Sequence, residues 1–130
     1  MARGTIPGPA AMFGAAFLLA LAAGSPAFAC SCKSISQAEA MKGSAVVFQG
    51  RVLDVRVEGD GRFATIEVIR PIKGGVQTVV EVGTRASAAA CGYPFRRGEV
   101  VIVGASFTQQ QYRTNMCVMY NLNRDRRQGR

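Results

Sequence analysis

Alternation of apolar and polar residues organises the chain from residue 45 onward. Val46, Phe48, Gly50 and Val52 share one parity. Beyond them the apolar set switches to Leu53, Val55 and Val57, with Asp54, Arg56 and Glu58 opposite. Alternation predicts a strand over 45–57, and a one-residue change of parity predicts a β-bulge within it. Gly50 removes a side chain where that strand would bend. Glu58-Gly59-Asp60-Gly61 is a turn signal. Ala64, Ile66 and Val68 then define a second strand over 62–72, making a hairpin with the first. Pro71, Gly74 and Gly75 end it.

Val76, Thr78, Val80 and Val82 predict a third strand over 76–82, and the apolar run 99–105 a fourth. Between them lies a long Ala-rich connection over 83–95. Residues 109–111 read as loop and 115–120 as a fifth strand containing Cys117. Residues 123–130 carry four Arg and no apolar residue, which predicts a frayed basic tail. Ser36-x-x-Glu39 has the form of a capping box for a short helix over 37–42, ended by Gly43 at C′. Five short strands, a long bent first strand and one short helix point to an all-β fold. The expected architecture is a five-stranded OB-type Greek-key barrel, with a generic β-sandwich as the alternative.

The segment before residue 30 reads differently. Met1 to Pro9 is short and lightly basic, 10–23 is almost continuously apolar, and Gly24-Ser25-Pro26 breaks any helix. Ala27-Phe28-Ala29 supplies the small-x-small pattern of a signal-peptidase site. About 14 apolar residues fall short of the ~20 that span a bilayer. The expected organisation is therefore a signal peptide over 1–29, a folded domain over 30–123 and a basic tail over 124–130. The mature protein is expected to be exported, periplasmic or extracellular. A lipoprotein cut before Cys30 is the competing reading, but Ala27 and Phe28 fit its usual Leu-and-small pattern poorly. Only such lipidation would put the protein on a membrane.

Removal of the first 29 of 130 residues leaves 101, enough for one modest core, with a net charge of +7. That charge favours acidic polymers or anionic surfaces as partners. The chain has no His, which excludes a Ser-His-Asp triad, a Cys-His pair and a His-ligated metal site. No nucleophile has a base beside it in sequence, so an enzyme is not expected. Nucleic acid is not expected either, because the chain is exported and has no run of aromatics for base stacking.

Four Cys remain: Cys30, Cys32, Cys91 and Cys117. None forms a Cys-x-x-Cys pair, so a zinc ribbon is a poor match. In an exported protein two disulfides are the natural outcome. Cys30 with Cys32 is sterically poor. Two pairings stay open, 30–91 with 32–117 or 30–117 with 32–91, and each anchors the new N-terminus to two distant segments.

In this order of features the chain resembles the netrin-like domain of the tissue inhibitors of metalloproteinases. Cys30-Ser31-Cys32 follows a signal peptide, and a short helix leads into Ala45-Val46-Val47-Phe48-Gln49-Gly50-Arg51-Val52. Then come Ile72-Lys73-Gly74, Cys91-Gly92, a Phe95-x-x-Gly98 turn into Val100-Val101-Ile102-Val103-Gly104, and Cys117. The similarity spans residues 30–123. It implies an OB barrel, pairing of Cys30 with Cys91 and Cys32 with Cys117, and no cofactor of its own. It also implies inhibition of a zinc metalloendopeptidase. The α-amine and carbonyl of Cys30 would chelate the protease's zinc, Ser31 would enter its S1′ pocket, and Ala89, Ala90 and Gly92 would extend the same ridge. The alternative is a non-enzymatic envelope or extracellular module, binding polyanions or lipid through Arg56, Arg62, Arg70, Arg96, Arg97 and the tail.

Overall fold

Two 13-residue strands, β1 (Val46–Glu58) and β2 (Gly61–Lys73), form the hairpin on which the rest is hung. The computed structural model describes Gly4 and residues 30–128; apart from Gly4, the expected signal peptide over 1–29 lies outside the described residues. Glu58 pairs with Gly61 across a two-residue turn, and Gly59 supplies the positive φ of 60° at its first position. The expected bulge is present. Leu53 has no partner in β2, and the register resumes at Asp54 opposite Thr65. The parity change is shorter than the pattern suggests: Val55 packs on the core, but Leu53 and Val57 remain exposed. A Cβ at Gly50 would lie 2.4 Å from the Ile66 Cγ2 and 3.0 Å from the Phe48 ring, so these two core side chains fill the space a side chain there would need.

Three further strands complete the sheet: β3 (Val79–Arg85), β4 (Val100–Thr108) and β5 (Gln111–Arg113). Neighbours run β1-β2-β3-β5-β4, and β4 returns antiparallel to β1, so the sheet closes on itself. The β3–β5 pairing is parallel and the others antiparallel. The enclosed core holds Val46, Phe48 and Val52 of β1 opposite Val101, Val103 and Ala105 of β4, with Ile66, Val82, Phe95 and Met119.

Several sequence expectations are corrected. β3 starts three residues later than the apolar pattern suggests and runs through Thr84, whose polarity hides its membership. Thr84 is buried, and its hydroxyl accepts a bond from the Tyr93 N–H at 3.0 Å. β4 likewise continues past Ala105 through Ser106 and Thr108. The fifth strand is Gln111–Arg113, beginning at the last residue of the predicted loop 109–111, and the predicted strand 115–120 is for the most part a helix instead. That helix, Met116–Leu122, is capped by Asn115, whose side chain accepts from the Val118 N–H at 3.0 Å. Val118, Met119 and Leu122 fall on one helical face, a period masked by the short length and the β-favouring residues around Cys117.

The first helix, α1 (Gln37–Lys42), forms as predicted with a reciprocal Ser36–Glu39 capping box, although Gly43 ends it in a right-handed conformation. Lys73 fastens its C-terminus. Its ammonium donates to the carbonyls of Met41, Lys42 and Ser44 at 2.9, 3.3 and 2.6 Å, where the helix dipole favours a cation. Helix α2 (Met116–Leu122) packs beside α1 on the outside of the sheet, over Val47 and Ile102. Burying a side chain like Val47 contributes about 1.5–3 kcal/mol. Gly104 makes this approach feasible, since a Cβ there would sit 2.5 Å from Leu122 Cδ1 and 2.7 Å from Ser44 Oγ.

The predicted tail is also corrected. Arg124–Gln128 forms a third short helix, α3. Just before it, Asn123 is buried, accepts from the Ile102 N–H at 2.9 Å and donates to the Ile102 carbonyl at 2.8 Å. One amide side chain thus stands in for a neighbouring strand along β4, beyond the reach of β5.

The β4–β5 turn carries a local cost. Gln109 and Gln110 both have positive φ, 53° and 63°, the pattern that Asn-Gly favours. Replacing the pair by Asn-Gly is expected to stabilise the fold by about 1–2 kcal/mol. Urea unfolding reads this as a raised midpoint at unchanged slope; a lowered midpoint would contradict the turn geometry.

Candidate functional site

Residues 30–35 form a strap without regular secondary structure, laid against α2 and the turn before Cys91. Two disulfides fix it, Cys30–Cys91 and Cys32–Cys117, with Cα separations of 5.0 and 5.1 Å. Of the two pairings left open by spacing, the structure has the one the resemblance implies. The bridges touch: Cys30 Sγ lies 3.9 Å from Cys117 Sγ. Their presence places the folded domain in an oxidising environment, and among the described residues no helix is long and apolar enough to cross a membrane.

Polar bonds complete the clamp. The Asn121 amide donates to the carbonyls of Lys33 at 3.4 Å and Cys117 at 2.9 Å, and its oxygen accepts from the Ile35 N–H at 3.5 Å. Arg124 donates to the Ile35 carbonyl at 2.8 Å and to the Asn121 side-chain oxygen. Gln37 donates to the Leu122 carbonyl at 3.0 Å. Local pattern does not mark Asn121 and Arg124: Arg124 falls in the expected basic tail, and Asn121 lies just beyond the predicted strand 115–120. The recurrence of Asn at 115, 121 and 123 was the available signal, since Asn serves as cap and backbone mimic.

Ser31 is exposed between the two anchored cysteines, and Cys30 is half-buried. Across the first bridge, Ala88–Ala90 forms one turn of 3-10 helix with all three alanines exposed. Cys91 follows in a left-handed conformation, φ 67°, and its carbonyl accepts from the Met116 N–H at 2.8 Å. Gly92 is buried, so of the expected ridge only Ala89 and Ala90 offer side chains to a partner.

The Cys-Gly pairing has a steric cause. A Cβ on Gly92 would lie 1.8 Å from the Arg85 carbonyl oxygen and 2.9 Å from that of Ser87. These are backbone atoms, and they cannot swing away. Gly92→Ala is therefore expected to cost at least about 3 kcal/mol, read as a lowered urea midpoint; an unchanged midpoint would contradict this packing.

The sulfurs of Cys30, Cys91 and Cys117 lie within 4.8 Å of one another. All are spent in disulfides, and metal binding needs thiolates, so the cluster is a covalent knot and not a metal centre. Of the arginines expected to face a polyanion, Arg56 bonds Glu81 at 2.5 Å and Glu58 at 3.3 Å and covers the Phe63 ring. The bond to Glu81 holds its pKa above the usual value. Arg97 bonds Asp54 at 2.8 Å, and Arg62 donates to the Ala86 carbonyl. Arg70 and Arg96 are exposed. No family model matches the chain, and no curated protein matches it.

Proposed function

We propose that this is an exported inhibitor of zinc metalloendopeptidases, acting through the N-terminus created by cleavage before Cys30. The observation that carries the reading is the strap: Ser31 is held in the open between two cysteines, each bonded to a separate part of the domain. A catalytic zinc keeps one coordination position for water. An α-amine and the carbonyl of the same residue form a five-membered chelate that can take that place. The amine, with an ordinary pKa of ~7.7–8.0, loses its proton at small cost near neutral pH. A strap fixed beforehand lowers the ordering cost of binding. On this reading Cys30 ligates the protease's zinc, Ser31 faces its S1′ pocket, and Ala89 and Ala90 add contact. The protein itself performs no catalysis and carries no cofactor.

The strand order β1-β2-β3-β5-β4, closed by β1–β4 and containing a parallel β3–β5 pair, supports an OB-type Greek-key barrel of the netrin-like kind. Exposed Arg70 and Arg96 favour the second reading, a polyanion- or lipid-binding module. The test is a panel of zinc metalloendopeptidases titrated with the exported protein. Stoichiometric inhibition of at least one member, relieved by reduction of the disulfides, is expected. Inactivity across the panel, with salt-sensitive retention on heparin, would replace the inhibitor reading by the second.

A further inference from the structure

We propose that the groove beside the Cys30–Cys91 bridge is a binding site for a carboxylate side chain of a protein partner. The groove encloses about 400 Å³ between the outer face of the β4–β5 hairpin and the Arg85–Cys91 turn, and Arg85, Arg113, Ser106, Thr108 and Asn115 line it. Strand parity explains why these residues share a face. Ser106 pairs with Arg113 and Thr108 with Gln111, whereas Phe107 pairs with Tyr112, which turns inward to the core. The parallel pairing of Gly83 with Arg113 brings the end of β3, and with it Arg85, alongside.

The lining holds two guanidinium groups and no acid. Arg85 meets Asp60 only at 3.5 Å, with both side chains largely in solvent, and such a pair is weak enough to exchange for a ligand. Arg113 donates to the neutral Gln111 oxygen at 3.3 Å, so its charge is uncompensated there. Thr114 lines the same groove with a buried hydroxyl that has no hydrogen-bond partner among the described residues. Two cations, the Thr108 hydroxyl, the Asn115 side-chain NH2 and the unsatisfied Thr114 hydroxyl suit a planar, multiply accepting carboxylate. The space is too large for a small ion alone and fits an acidic side chain with part of its backbone. Cys91 lines the groove and is bonded to Cys30, so a polypeptide seated on the strap passes it. The site itself does not depend on a free Cys30 amine.

The test is an amide chemical-shift titration of the exported protein carrying one extra alanine before Cys30, which separates this site from zinc chelation. The probes are acetyl-tetraglutamate amide and acetyl-tetraglutamine amide at constant ionic strength. The expected result is saturable shifts at residues 85, 106, 108 and 113–115 with the glutamate peptide only. Joint Arg85→Gln and Arg113→Gln substitution weakens binding about tenfold, whereas Arg70→Gln leaves it unchanged. Linear shifts spread over the basic surface, equal binding of the glutamine peptide, or unchanged affinity in the double variant would each overturn the proposal.

Discussion

One alanine added before Cys30 of the mature chain is expected to weaken inhibition of a susceptible metalloendopeptidase at least about a hundredfold, a loss of roughly 2.7 kcal/mol. The addition turns the Cys30 amine into a peptide N–H, which has no lone pair to give a metal. The new amine stands one residue out and belongs to a different chelate, no longer held by the Cys30–Cys91 bridge. The disulfides and the fold are untouched, so urea midpoints should coincide for the two forms. A second readout follows from protonation. The unprotonated amine is the ligand, so the enzyme-corrected affinity falls with decreasing pH, by about tenfold per unit below ~7.7. Unchanged inhibition by the extended chain would place the contact elsewhere on the surface.

Loss of the Cys32–Cys117 bridge is expected to have the largest effect on stability. The bridge joins residues 85 apart in sequence, and the chain-entropy model assigns a loop of that size about 4.6 kcal/mol. Typical domains retain only ~5–15 kcal/mol in total, so Cys32→Ser with Cys117→Ser takes a large share. The enclosed core survives, because its residues come from the sheet, Phe95 and Met119. The strap keeps Cys30–Cys91, the packing of Ile35 beside Leu122 and the hydrogen bonds of Asn121 and Arg124, but loses its second covalent anchor. Inhibition should therefore weaken even at temperatures where the double variant is folded. Denaturant unfolding under non-reducing conditions reads the first effect; a midpoint within error of the parent would contradict it.

The hairpin was legible in the sequence because Phe48, Gly50 and Val52 of β1 and Ala64 and Ile66 of β2 are buried while Arg51 and Glu67 face out, which writes the alternation directly. The capping box at Ser36 and Glu39 was legible for a similar reason, since both halves are local. The misreadings share a different cause. Thr84 is a polar strand residue whose partner, Arg62 of β2, is distant in sequence. Ser106 and Thr108 pair with Arg113 and Gln111 across a Gln109-Gln110 turn that carries no Gly or Asn signal, and no local period marks any of the three. Residues 116–122 carry strand-like composition, yet their helix is selected by packing against Ile102 and Gly104 from outside. At the site, the four cysteines and Ser31 stood out at once. Asn121 and Arg124 did not, because their role exists only once the strap is folded onto α2. The Arg85–Arg113 groove was hidden for the same reason: a parallel strand pair unites residues 28 positions apart.

Zinc chelation requires a free α-amine on Cys30, so intact mass and N-terminal sequencing of the exported protein test it most directly. The predicted result is a chain that begins at unmodified Cys30 and weighs four hydrogens less than its reduced form, as two disulfides require. A lipidated Cys30, or a chain beginning at any other residue, would contradict the chelating mechanism.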